Sequence, residues 1–408
     1  MTVTKPVWQR PVVRLAAAIL FALALVAGMV AVQTPASSSR HTGVRDQTEV
    51  VATLRRGGRS YPAALRALLQ ASRAAPDDIT AAKAASRALI DEGRAAGDSR
   101  LVGASLGLLR PFMETQDAQV LTLAATARQY QHDFPGALKL LDQAIMLDPR
   151  DVNSLLIRAT IQIVLGHFDA ARSDCRRISD LQRPDLGFMC QSTALTLTAK
   201  APAVYDRLKA LMGMPQVLDP ALRPYALSLM GEVAALQGKP EIAIGHFSEM
   251  LTLNPNDIRV RLMTADLLLQ AKKPAEVLTL LTPAPDVDGV LIRRYLAATA
   301  LNQPDIADLA KAELEKRFRL NLDLGLTAHA REEAQYFLYV APDPAMALAR
   351  AQINWGLQHE IEDLRLLIDA SVASGQPAAA APGLKWMAEA GIVVPTLIIP
   401  DAVREAAK

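Results

Sequence analysis

The sequence predicts an all-α fold: an α-solenoid of about ten antiparallel helix pairs, preceded by one N-terminal transmembrane or signal helix. Three observations lead there. FPGAL at 134–138 returns 34 residues later as FDAAR at 168–172, and Pro240 and Ala243 return at the same interval as Pro274 and Val277. A period of that length is what stacked helix–turn–helix units produce. The chain is 51% hydrophobic but only 4% aromatic, and Ala and Leu, both strong helix formers, supply most of its apolar residues. Its punctuation is also regular, with Pro recurring at the expected start of second helices.

From the N-terminus, residues 1–14 are basic through Lys5, Arg10 and Arg14, and residues 15–32 run apolar without a charge. Eighteen helical residues span about 27 Å, enough to cross a bilayer core. The preceding cations favour a cytoplasmic N-terminus, placing the chain beyond residue 36 on the periplasmic side. A retained inner-membrane anchor is the favoured reading. The alternative is a signal peptide cleaved near Ala36, releasing a secreted periplasmic protein. Residues 33–43 form a polar tether.

Charge reads differently on the two sides of this segment. Three of the 44 basic residues precede residue 36 and all 42 acidic residues lie beyond it, leaving 41 against 42, a net charge of −1. A near-neutral body of mixed sign argues against a nucleic-acid footprint.

Residues 44–391 read as the repeat domain. Pro62, Pro135, Pro240, Pro274, Pro304, Pro344 and Pro377 fall where a second helix begins, a place where the missing N–H costs nothing. A small or β-branched residue comes shortly after each: Ala64, Ala137, Ala243, Val277, Ala307, Ala347 and Ala380. Small side chains let paired helices approach closely. Spacing loosens at 196–222 and 318–330, where a continuous array would bend. One continuous superhelix, an elongated curved rod, is preferred over two domains. The tail 392–408 is read as a cap on the last helix pair. Its β-branched stretch, GIVVPTLIIP at 391–400, is too short to span a bilayer, and a peptide offered to a partner is the competing account.

At these positions the chain resembles the tetratricopeptide repeat family. Residues 224–257 fit its pattern best, through Leu227, Met230, Gly231, Ala243, Phe247 and Pro255, with Ala234 and Met250 departing. Residues 118–151 supply Leu121, Ala125, Ala137, Leu141, Ala144 and Pro149, and 152–185 keep Leu155, Ala159 and Ala171. The resemblance implies a superhelix whose first helices line a concave groove for a protein or peptide partner. It places Thr122, Thr126, Gln129, Asn153, Thr160, Tyr225, Glu232, Arg259 and Asp266 on that groove. With Leu156, Ile163, Ala235, Leu262 and Leu269 at further groove positions, the set is mixed polar and aliphatic rather than basic.

Cys175 and Cys190 flank the break at Arg183 and Pro184 almost symmetrically, so an antiparallel hairpin would hold them level. In an oxidising compartment that favours a disulfide; two free buried thiols are the alternative. No zinc, nucleophile-elbow or phosphate-loop motif is present. His329 and Glu332 share a helical face read as solvated, and the carboxylates of Glu332, Glu333, Glu360 and Glu362 are read as exposed and ionised. The expectation is a non-catalytic envelope scaffold without a cofactor. An exported enzyme on a helical solenoid, or a structural self-associating protein, are the alternatives.

Overall fold

The computed structural model describes residues 61–214 and 218–407. The basic N-terminus, the apolar run 15–32 and the tether 33–43 lie outside the described residues, as does the start of the repeat region. No helix among the described residues is long and apolar enough to cross a membrane.

The described residues hold 20 α-helices and no strand. A lone helix, α1 (Ala63–Ala74), precedes nine hairpins. These are α2 (Ile79–Ala96) with α3 (Ser99–Leu109), α4 (Ala118–Tyr130) with α5 (Phe134–Leu147), and α6 (Val152–Val164) with α7 (Phe168–Asp180). Next come α8 (Pro184–Leu195) with α9 (Ala201–Met212), α10 (Arg223–Leu236) with α11 (Pro240–Leu253), and α12 (Ile258–Gln270) with α13 (Pro274–Leu281). The last three are α14 (Asp288–Ala300) with α15 (Pro304–Asp323), α16 (Ala330–Tyr339) with α17 (Pro344–Leu357), and α18 (Ile361–Ala373) with α19 (Ala381–Glu389). A short α20 (Asp401–Ala406) closes the chain.

Two chemistries start the helices. Many are capped by a carboxylate: among first helices Asp117 accepts from the amides of Gln119 and Val120, Asp151 from Asn153 and Ser154, Asp257 from Val260, and among second helices Asp133 accepts from Gly136 and Asp343 from Met346. Each such cap is worth about 1 kcal/mol. Second helices open on proline in the first turn, at Pro135, Pro240, Pro274, Pro304 and Pro344. Between them the backbone takes one left-handed residue: His132, Gly166, Gly238, Lys272, Asn302 or Gly375. The amide after it reaches back to the helix carbonyl five residues earlier, as His167 to Gln162 and Lys239 to Ala234. That is a Schellman closure repeated along the array.

Packing is shared between neighbours. One core joins Leu121, Ala125, Ala137, Leu141 and Ala144 to Ile161 of the next hairpin, and another joins Leu227, Ala243, Phe247 and Met250 to Val260. Gly231 is required by close approach, because a Cβ there would meet Phe247 Cε1 at 2.3 Å. Small residues meeting at the hairpin crossing, and cores closed by the neighbouring hairpin, make the architecture tetratricopeptide-like.

Cys175 and Cys190 are joined by a disulfide across α7 and α8, with Cα atoms 5.4 Å apart and both residues buried. It closes a separation of 15 residues, for which loop entropy gives about 3 kcal/mol. The double variant Cys175→Ser/Cys190→Ser should therefore lose about 3 kcal/mol in urea melts followed by circular dichroism, and wild type in reductant should move towards it.

The loosely spaced stretches differ in kind. Residues 196–222 contain α9 and a single 3-10 turn at Pro220–Leu222. Around 318 the helix simply continues: α15 runs 20 residues because Leu314 and Phe318 are both buried, Phe318 edge-on to Tyr336 at 5.3 Å.

Candidate functional site

The first helices lie side by side and form one wall of the array. Their polar residues bond mainly to one another. Lys83 of α2 pairs with Asp117 at 2.8 Å, and the Thr122 hydroxyl of α4 meets that of Ser154 of α6 at 2.6 Å. Thr193 of α8 meets the Tyr225 hydroxyl of α10 at 2.7 Å, and Glu232 of α10 accepts from Arg259 of α12 at 2.6 Å. Arg293 of α14 holds Asp266 of α12 through two bonds of 2.7 Å, and Arg331 of α16 grips Asp363 of α18 at 2.7 and 2.8 Å. A polar rung thus crosses most steps between first helices.

These rungs decide what the predicted groove residues do. Thr122, Tyr225, Glu232, Arg259 and Asp266 are rung members. Thr126 is buried and donates to the Thr122 carbonyl, and Gln129 is half-buried near the end of α4. Asn153 and Thr160 are exposed, Thr160 donating back to the Leu156 carbonyl. Arg259 is both rung and surface, its side chain 61% exposed. The Glu232 carboxylate holds its guanidinium charged more firmly than usual, and Glu360 and Glu362 add to the same field. Those two glutamates belong to the start of α18, so the wall near Arg259 faces the far end of the array.

The array does return upon itself. The His359 amide donates to the Val164 carbonyl at 2.7 Å and its Nδ1 lies 3.0 Å from the Leu165 oxygen. The Val393 amide donates to the Leu197 carbonyl at 2.8 Å, and the Thr396 hydroxyl to the Leu236 carbonyl at 3.3 Å. Gly166, in the left-handed region at φ +77°, has no room for a side chain, because a Cβ would fall 2.2 Å from Trp386 Nε1. The rod expected from the repeats alone is corrected by these contacts. The tail 392–408 is divided: Leu397, Ile399 and Val403 pack on the last hairpins, while Ile392 and Val394 join Phe168 and Ala194.

Two further expectations are corrected. Glu333 is fully buried, ion-paired with Arg350 at 3.0 Å, and burial lifts its carboxyl above the usual range against the pull of Arg350. Glu360 is tied to Arg331 and, although burial works against it, Arg331 and Arg259 hold it below the usual range. A surface pattern of adjacent glutamates does not reveal an arginine brought up from a neighbouring helix.

His329 likewise does not sit on a free face. Its Nδ1 lies 3.1 Å from Asp288, and that bond raises the imidazole above its ordinary value despite desolvation. A raised folded value contributes stability in full below about pH 6.5, lost as pH rises through it. His329→Gln should therefore cost stability at pH 5.5 and nothing at pH 8.5. Because the side chain is 43% exposed, the loss should stay below about 1 kcal/mol. Denaturant melts at both pH values check it.

The residues missed by sequence are those of the returning end: His359, Trp386, Val393 and Thr396. Their signal was the β-branched run at 391–400, which has no repeat pattern of its own. Among the described residues, no group of three His, Cys, Asp or Glu side chains converges as a metal ligand set.

The chain matches no protein-family model, and no curated protein matches it in sequence. Among solved structures, a tetratricopeptide repeat protein from Parabacteroides merdae aligns over 64% of this chain and 98% of its own, at 14% identity and TM-score 0.37. PilF of Pseudomonas aeruginosa aligns over 64% and 94%, at 14% identity and TM-score 0.30. The Cut9–Hcn1 hetero-tetramer of the APC/C aligns over 80% and 68%, at 12% identity and TM-score 0.37. At those scores they add nothing to what the hairpins and their turns establish.

Proposed function

We propose that this chain is a non-catalytic scaffold that binds a protein or peptide partner along its first-helix wall, held at the periplasmic face of a membrane through residues 15–32. One observation carries the binding reading. The rungs fix the first helices relative to one another while leaving Asn153, Thr160 and the Arg259 guanidinium facing outward. A wall already ordered loses little freedom when a partner docks, which favours affinity from several modest contacts.

The envelope location rests on two sequence-distant features. The apolar run comes after three cations, as a signal or anchor does. The buried Cys175–Cys190 bridge suits an oxidising compartment. Secretion after cleavage near Ala36 remains the alternative, and mass spectrometry of the mature N-terminus separates the two.

The test is recovery of a stoichiometric partner from solubilised membranes with wild-type protein, and its loss with Asn153→Arg/Thr160→Arg. These positions are exposed, so the variant should keep its helicity and melting point. Equal recovery by both proteins would refute the wall as the binding surface. Turnover of an envelope substrate by the protein alone would refute the non-catalytic reading. An alkaline-phosphatase fusion after residue 45 that stays inactive would refute export, because that enzyme needs disulfides formed in an oxidising compartment.

A further inference from the structure

The returning end meets a particular kind of surface. An α-helix leaves its last carbonyls without intrahelical donors. Val164 and Leu236 end α6 and α10, and Leu197 lies just past α8, so three successive first helices present such oxygens along one rim. Each receives a donor from the C-terminal part: the His359 amide, the Thr396 hydroxyl and the Val393 amide respectively.

Residues 392–394 cross this rim in extended form, and residues 394–397 then close a turn in which the Leu397 amide donates to the Val394 carbonyl at 3.0 Å. Their side chains alternate. Ile392 and Val394 are 7% and 9% exposed and enter a cluster with Phe168, Ala194 and Ile361, lined by Ile163, Leu197 and Leu236. Val393 points outward while its amide bonds the rim, and Pro395, which has no amide to satisfy, is exposed. Two β-branched residues two apart, an amide between them and a hydroxyl two positions on are therefore what the rim reads. This is how extended peptides are commonly recognised, main chain for affinity and alternate side chains for selection.

The seam is not finished like a permanent core. The indole Nε1 of Trp386 is buried there without a hydrogen-bond partner, an arrangement that interiors ordinarily avoid. Just beyond the seam, Ile398 is 82% exposed.

We propose that the rim of α6, α8 and α10 is a peptide-binding site distinct from the first-helix wall. It is occupied by the chain's own residues 392–397 as an internal ligand, and a partner segment with two β-branched residues two apart, followed by a turn that carries a hydroxyl, displaces them. The site is in its closed state when the internal segment is seated.

The probe is a fluorescent synthetic peptide covering 391–408, used against the full chain. With wild type, binding should be at least tenfold weaker than with Ile392→Asp/Val394→Asp, in which the internal segment cannot seat. The same peptide carrying both aspartates should bind neither protein. Asn153→Arg/Thr160→Arg introduced into the double variant should leave peptide affinity unchanged, so failure of the wall reading and failure of this one are told apart. Equal binding by wild type and double variant, or binding by neither while helicity is retained, overturns the proposal. So does loss of cooperative folding in the double variant, since the segment would then be core rather than a replaceable ligand. Hydrogen exchange gives a second readout: the Val393 amide of wild type should exchange faster than the helix amides of α10, and equal protection would overturn displacement.

Discussion

Arg331→Ala should lower stability by about 3–5 kcal/mol, the cost of stranding a buried carboxylate when its partner is removed. The Asp363 side chain is fully buried, and Arg331 supplies two of its bonds, Asn354 Nδ2 at 2.6 Å the other side-chain bond. Burial already pushes the Asp363 carboxyl up, and Arg331 is the charge that pulls it back. Glu360, the N-cap of α18, loses the same guanidinium. Without Arg331 both carboxylates hold protons more tightly in the folded state than in the unfolded one. The deficit relative to wild type should therefore shrink as pH falls towards 4 and be widest above pH 6. Urea melts across that range measure it, and a loss independent of pH would point to packing instead of charge.

Phe247→Ala should cost a similar amount, about 3–5 kcal/mol, by emptying the centre of the best-formed repeat. Phe247 is fully buried, and its ring edge faces the helix backbone at Gly231. The two positions are coupled through that contact. Gly231→Leu alone should destabilise by overpacking, since even its Cβ would fall 2.5 Å from Phe247 Cδ1. Combined with Phe247→Ala, the leucine partly fills the space the ring vacates, so the double variant should be more stable than the sum of the singles implies. Additive losses would mean that the crossing relaxes in some other way.

The repeat architecture was legible because its signals are local. A proline opening a second helix and a small residue two or three places on act within a few residues, and both recur along the chain. Pro135 and Ala137 announced their helix without any knowledge of what it packs against. The first-helix wall was legible by position only. Glu232 and Arg259 could be placed on it, but that they bond each other depends on the stagger of α10 against α12, which no spacing in the sequence states. The misread glutamates show the same limit: Glu333 sits in a polar stretch, and its burial comes from Arg350 on another helix. The returning end had the least signal of all. Donor and acceptor are separated by 194 residues for His359 and Leu165, and a β-branched tail advertises only that it wants cover, not where cover is found.

That separation has a bearing on how the molecule comes apart. A linear stack of hairpins frays from whichever terminus is weaker, shedding one unit at a time, because each unit touches only its neighbours. Here residues 359, 393 and 396 are fastened to the middle of the stack. Unravelling from that side must first break bonds to units made much earlier, and a nascent chain cannot form those bonds until these residues have been made. Seating of that segment is thus a late step of folding, and its release comes before any unit at that end can leave the stack.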